Sequence, residues 1–298
     1  MARHQGACEA GAGGEGRQVS NHFRACPWGI SYEADAKHRR LIAEYFGFDA
    51  NSRRLTTNGV KDEDKDADDM ELAIEEKKSF RAVAARMNFL ASDCPDIQFP
   101  SKEICRSMSN PTEKSFQKLK RAARYLLSRE AVKFKYEWQE DGVQLKVYTD
   151  SDWAGCLRTR KSTSGGVIML GRHCIKTWSL TQSSIALSSA EAEYYAMVEG
   201  ATRAIGARTM LDEIGVKVNL TLATDSSAAK SLGSRRGTGK IRHLATKWLW
   251  LQAEVANGSI RLVKVPGEKN PADVLTKYKS RSEIARSSNE MSIDLNYA

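Results

Sequence analysis

The 298-residue chain has no run approaching 18 consecutive apolar residues, so it holds no segment that would cross a bilayer as a helix. Residues 1–16 are rich in Gly and Ala and lack the apolar centre of a secretory signal. This predicts an intracellular protein of cytoplasm or nucleus that is not secreted. The six cysteines (Cys8, Cys26, Cys94, Cys105, Cys156 and Cys174) are scattered, with no C-x-x-C pair. That argues against a zinc site or a disulfide framework and for reduced thiols. A paired aspartate between apolar strands, as a polymerase centre requires, is also missing. Asp68-Asp69 comes nearest, but its neighbours are Lys65, Asp66 and Glu71. What is present is ordinary for a folded chain: 41% apolar and 28% charged residues, too apolar for a wholly disordered one.

The formal charge of +9 is unevenly placed. Residues 143–280 hold 20 Lys and Arg against 11 Asp and Glu, and the remainder is neutral with 26 of each. A basic block suits a nucleic-acid-binding domain, and equally a solvated basic surface without a partner.

Composition divides the chain. Residues 1–28 are Gly-rich and read as a disordered tail. Residues 29–78 contain a short helix at 36–46, with Leu41, Ile42, Tyr45 and Phe46 on one face. An acidic linker follows at 61–78, with nine carboxylates against four lysines. Residues 79–140 read as helical. Phe80, Val83, Ala84, Met87 and Leu90 recur at helical spacing, and Pro111-Thr112-Glu113 opens a helix striped by Phe116, Leu119, Ala123, Leu126 and Leu127. The basic residues on its other faces suit a phosphate backbone or bulk water.

From 141 to 280 the period becomes that of strands. Alternation at 143–149 ends on Asp150, and a hairpin turns through Gly171-Arg172-His173. Ser188-Ser189-Ala190-Glu191 is a capping-box start for a long helix. A strand at 218–224 ends on Asp225, another spans 260–265, and Asn270-Pro271 opens a last helix carrying Asp273. The order βββαβαβα predicts a mixed α/β layer with helices packed on a sheet, ending in a flexible tail at 281–298.

The acids fall where chemistry collects. Asp150 and Asp225 each end a predicted strand, where ligand sites of open α/β sheets lie. Glu193 and Asp273 lie in the first turns of predicted helices. Singly, such residues are as readily turn or helix-dipole acids. Together, four converging carboxylates suit two Mg²⁺ ions, which prefer hard oxygen ligands and promote in-line displacement at phosphorus.

Three segments carry a family resemblance. They are Tyr148-Thr149-Asp150-Ser151-Asp152-Trp153-Ala154-Gly155-Cys156 with Thr159-Arg160-Lys161-Ser162-Thr163-Ser164-Gly165, then Leu187-Ser188-Ser189-Ala190-Glu191-Ala192-Glu193-Tyr194, then Pro271-Ala272-Asp273-Val274-Leu275-Thr276-Lys277. They closely resemble the ribonuclease H domain of copia-type retrotransposon Pol polyproteins. Met108-Ser109-Asn110-Pro111-Thr112-Glu113 resembles the segment joining reverse transcriptase to that domain, and residues 30–35 resemble a remnant of the polymerase region. The resemblance implies a ribonuclease H-like mixed five-stranded sheet flanked by helices at 141–280, preceded by a mainly helical connection at 79–140. It implies a C-terminal Pol fragment that hydrolyses the RNA strand of RNA–DNA hybrids, using two Mg²⁺ ions or Mn²⁺ in their place. The alternative is a decayed or repurposed fragment that binds nucleic acid without catalysis.

By position, Asp150, Glu193, Asp225 and Asp273 would be the catalytic metal ligands. Glu193-Tyr194-Tyr195-Ala196 fits the family's Glu-x-x-Ala, leaving Glu191 and Asp152 supporting or surface roles. Arg158, Arg160 and Lys161 in one loop, and Arg235, Arg236, Lys240 and Arg242 in another, would meet the hybrid's phosphates, with the Thr163 and Ser164 hydroxyls adding neutral contacts. The remainder of a reverse transcriptase is a second expected partner, and a membrane is not. Trp153 and Trp178 read as buried packing sooner than stacking residues. The resemblance has gaps. No histidine stands in Val265-Pro266-Gly267-Glu268-Lys269 before the last aspartate, and no integrase or aspartic-protease motif occurs. His243 occupies the place of a family histidine, as an accessory group or merely a cap, but Ala245 replaces the acid usually found two positions later.

Overall fold

In the computed structural model the described residues are 22–61, 69–140, 144–239, 243 and 246–297. A hairpin opens them: β1 (Phe23–Cys26) turns through Pro27-Trp28 into β2 (Gly29–Glu33). Gly29 takes φ +151°, and a Cβ there would lie 2.0 Å from the Tyr136 carbonyl oxygen, so only glycine fits. Four helices follow. They are α1 (Ala36–Tyr45), capped by Asp35; α2 (Ile74–Ala91); α3 (Gln98–Cys105); and α4 (Glu113–Leu126), capped by Thr112. The chain returns through β3 (Lys133–Glu137), which pairs antiparallel with β2.

The second half begins with β4 (Leu145–Asp152), β5 (Thr163–Leu170) and β6 (His173–Thr181), an antiparallel meander. Helix α5 (Ser189–Glu213) crosses to β7 (Leu220–Thr224), which lies parallel to β4. Helices α6 (Ser227–Ser234) and α7 (Trp250–Ala256) lead to β8 (Arg261–Lys264), parallel to β7. The strand order β6-β5-β4-β7-β8 is the mixed five-stranded sheet flanked by helices that the resemblance implied. Gly200 brings α5 close to the sheet, since a Cβ there would lie 2.4 Å from Thr149 Cγ2.

Three expectations need correction. Residues 23–28, read as part of a disordered tail, form β1 and its turn; residues 1–21 lie outside the described residues. The segment 281–298, read as a flexible tail, forms α8 (Arg281–Glu290) and β9 (Ile293–Asp294), burying Ile284, Met291, Ile293 and Leu295. Strand β9 completes a second sheet of order β1-β2-β3-β9. Of the acidic linker, residues 62–68 lie outside the described residues, but the stretch after them is docked. Leu72 is buried and its N–H donates to the Pro111 carbonyl, while Asp69 Oδ1 accepts the Lys114 N–H at 3.1 Å. Asp69 is thus a helix-start acid at α4.

Pleat decides how the halves join. Along β5, Ile168 points into the core beneath α5, whereas Val167 and Met169 point the other way. That second face packs with Ile104, Leu119, Leu126 and Ile284 of the connecting helices and α8 in one continuous cluster. A buried ion pair lies deep in this half: Arg129 Nε stands 2.8 Å from Asp96 Oδ2, which also accepts the Tyr125 hydroxyl at 2.8 Å.

Candidate acidic active site

Strand β4 outruns its parallel neighbour. The last paired residues of β4 and β7 are Tyr148 and Ala223, so Asp150 stands level with Asp225, just past the end of β7. Ser188 caps α5 by accepting the Glu191 N–H at 3.2 Å, which sets Glu193 in the first turns beside those strand ends. Asp150, Glu193 and Asp225 each offer an oxygen, and the three oxygens lie within 4.8 Å of one another. Thr276 Oγ1 donates to Asp150 Oδ2 at 2.5 Å. The Ser151 N–H and hydroxyl both donate to Glu193 Oε1, at 3.1 and 2.9 Å. Glu193 Oε2 is buried and has no hydrogen-bond partner.

Burial and mutual repulsion push all three acids up. Asp150 rises to about 7, first through burial and then through Asp273, against the Thr276 hydrogen bond and Lys277. Glu193 rises to about 8 through burial and then Asp150. Asp225 is raised mainly by burial. An uncompensated cluster of oxygen ligands with one bare buried oxygen fits a hard divalent cation, whose charge would favour the ionised forms.

Asp273 lies outside this trio. It sits on a 3-10 turn, Pro271–Leu275, capped by the Asn270 side chain, which also donates to the Thr149 carbonyl at 2.9 Å. Its carboxylate is paired with Lys277 Nζ at 2.8 Å and with Lys279 Nζ. Its charge still contributes to raising Asp150 and Asp225. Asp152 also stays outside the trio, packed over Gly155 and raised by its burial.

Glu191 differs from its expected role. It is 1% exposed, and its carboxylate does not close a capping box on Ser188. Instead it accepts the Leu187 N–H at 3.1 Å and the Tyr195 hydroxyl, and it meets His243 Nε2 at 2.9 Å. Burial works to raise it, but these hydrogen bonds hold it below its ordinary value. His243 is therefore bound to Glu191, not to the acidic trio. The sequence offered one signal of this, a second acid spaced two residues before Glu193.

The basic loops divide. Arg158, Arg160, Arg235 and Arg236 are exposed, and Lys161 is half-buried. Lys240 and Arg242 lie outside the described residues, as does Ala245. Thr163 and Ser164 do not face solvent as expected, because both are buried at the start of β5. Thr163 Oγ1 accepts from Lys102 Nζ at 2.7 Å, and Ser164 Oγ accepts from Gln182 Nε2 at 2.9 Å. Trp178 is buried under Arg203, whereas Trp153 is 49% exposed with its indole N–H fixed to the Ala186 carbonyl.

Fold and site together define an α/β protein with a buried acidic centre at one end of a mixed sheet. No family model matches the chain. Over 208 residues it is 29% identical to the retrovirus-related Pol polyprotein from transposon RE1 of Arabidopsis thaliana, covering 68% of this chain and 14% of that one. Over 125 residues it is 35% identical to secreted RxLR effector protein 161 of Plasmopara viticola, covering 42% of this chain and 87% of that one. Among solved structures, LC11-RNase H1 isolated from compost matches at TM-score 0.33 and 21% identity, over 45% of this chain and 92% of that one. Relatives at 27–29% identity over 68% of this chain are thus retrovirus-related Pol polyproteins from transposons, and the chain spans 14–15% of their length. Among the described residues no helix is long and apolar enough to cross a membrane.

Proposed function

We propose that the chain is a ribonuclease H-type endonuclease that hydrolyses the RNA strand of RNA–DNA hybrids with two divalent cations, Mg²⁺ or Mn²⁺. The observation that carries this reading is the meeting of Asp150, Glu193 and Asp225 within 4.8 Å around the unpartnered Glu193 Oε2. Asp150, Glu193 and Asp225 would hold one ion, and Asp150 and Asp273 the other. When bound, such ions activate a water and stabilise the leaving oxygen in an in-line displacement at phosphorus.

The protein's own groups prepare that site. Thr276 and Ser151 each occupy one carboxylate oxygen and so orient the other inward. Lys277 and Lys279 hold Asp273 in place through ion pairs. Exposed Arg158, Arg160, Arg235 and Arg236 would bind backbone phosphates without reading sequence, and a wide minor groove would present 2′-hydroxyls for selection of RNA. The remainder of a reverse transcriptase would supply the hybrid.

The second reading is a fragment that binds nucleic acid without cleaving it. It is favoured by Asp273, whose carboxylate is already paired with two lysines. A labelled hybrid incubated with Mg²⁺ and either the parent chain or Asp225→Asn separates the two. Cleavage by the parent, lowered about 10³-fold in the variant, supports the nuclease. A parent that binds but does not cleave supports the second reading, and equal cleavage by both would refute the site assignment.

A further inference from the structure

The two lysines on Asp273 are not equivalent. Lys279 is 10% exposed and is shared between Asp273 and Glu283 Oε1, the latter at 3.0 Å, so its charge is spent within the fold. Lys277 is 44% exposed, with Nζ 2.8 Å from Asp273 Oδ1. Among the described residues Asp273 is the one carboxylate in contact with it, which leaves donors of its ammonium for a ligand. Asp273 is thus held by a buried lysine and itself holds a half-exposed one. The backbone before Lys277 is fixed to the acidic centre, because the Thr276 hydroxyl lies 2.5 Å from Asp150 Oδ2 and 3.1 Å from the Asp273 carbonyl oxygen. The Lys277 charge is felt across that centre, opposing the rise of Asp150, Asp152 and Asp225. On its open side Lys277 lines one cavity with Asp152, Gly155 and exposed Arg158.

We propose that Lys277 is a substrate-binding residue whose ammonium, aimed by Asp273, receives a backbone phosphate of the nucleic acid at the acidic centre. The proposal rests on the reading of the chain as a hybrid-binding protein, and adds to it a phosphate contact that needs no metal. Such a contact answers a difficulty of charge, since three clustered carboxylates repel a phosphodiester and a cation set among them offsets the repulsion. A lysine suits the task because its ammonium is a compact point charge whose remaining donors can meet the non-bridging oxygens of one phosphate. Asp273 is then the positioning residue of the pair, and Lys279 keeps it in place.

The test uses the full chain, Lys277→Gln, Lys277→Arg and Lys279→Gln, with a short RNA–DNA hybrid in EDTA so that binding is read without cleavage. Lys277→Gln is expected to weaken binding about tenfold and to lower the logarithmic salt slope by about 1. Lys277→Arg keeps the charge and should keep the parent slope, as should Lys279→Gln. In a second arm, an uncharged methylphosphonate replaces the RNA-strand phosphates one at a time. At one position the parent should lose about tenfold in affinity and Lys277→Gln nothing further, as coupled partners require. An unchanged slope in Lys277→Gln, an equal loss of slope in Lys279→Gln, or methylphosphonate losses that match in parent and variant would each overturn the contact. So would a parent that fails to bind in EDTA. Cleavage by the parent in Mg²⁺ beside any of those results leaves the nuclease reading standing, whereas a parent that shows the contact but never cleaves ends that reading alone.

Discussion

Without a divalent cation, the fold should lose stability as pH rises, and Asp150 sets the window. In the folded chain Asp150 keeps its proton up to about 7, whereas the unfolded chain releases it near the ordinary 3.8. Between those values the folded state binds more protons, so unfolding becomes easier as pH rises; the Asp150 share of the loss is complete above about 8, and Glu193, raised to about 8, adds its own loss to parent and variant. The displacement corresponds to about 4 kcal/mol, of which about 3 kcal/mol falls between pH 5 and 8. For a chain of this length that is a fall in Tm of about 4 °C. Asp150→Asn removes this titration. Thermal unfolding in EDTA should therefore show the variant gaining on the parent by about 4 °C from pH 5 to 8. Saturating Mg²⁺ should restore the parent at pH 8 and leave the variant unmoved, because the cation takes over the charge that burial penalises. Parallel pH profiles for the two proteins, or equal stabilisation of both by Mg²⁺, would refute the argument.

Four further outcomes are expected. Asp96→Ala strands the buried Arg129 guanidinium and should cost about 3–5 kcal/mol, read as a lowered urea midpoint; an unchanged midpoint would contradict the pair's role. Gly165→Ala would place a Cβ 2.8 Å from Leu275 Cβ and 2.9 Å from the Ala272 carbonyl oxygen, displacing the turn that carries Asp273. Its Mg²⁺ affinity, followed by cation-induced stabilisation, should fall about tenfold. Gly206→Ala, on α5 with open space around it, should stabilise the chain by about 0.5–1 kcal/mol. Hybrid affinity should fall steeply with salt, and Arg235→Ala or Arg236→Ala should each reduce the logarithmic slope by about 1. A flat salt dependence would remove phosphate contacts from the account.

What could be read from the sequence was local. Thr112 and Ser188 announce their helices because each cap bond closes within three residues. Asp150 and Asp225 were legible because alternation of apolar residues stops where the strands end. The four-stranded sheet was not. Its strand β2 pairs with β3, and β3 with β9, across separations that no periodicity reports. Thr163 and Ser164 misled for a related reason: a Ser/Thr-rich stretch looks like a loop, yet here its hydroxyls are consumed by Lys102 and Gln182 from other elements. Glu191 occupied the capping-box position, and only the fold shows His243 arriving from 52 residues away to engage it.

The two-sided packing of β5 limits what can be separated. Val167 and Met169 are covered by helices that precede the five-stranded sheet in the chain, and Ile284 and Ile293 reach the same cluster from beyond it. A gene break near residue 140 would leave a sheet with one greasy face and a helical remnant with none to cover. Any duplication or capture of this sequence that is to yield a protein must therefore carry the connecting helices, the five-stranded sheet with its acidic centre, and the last helix as one inheritance.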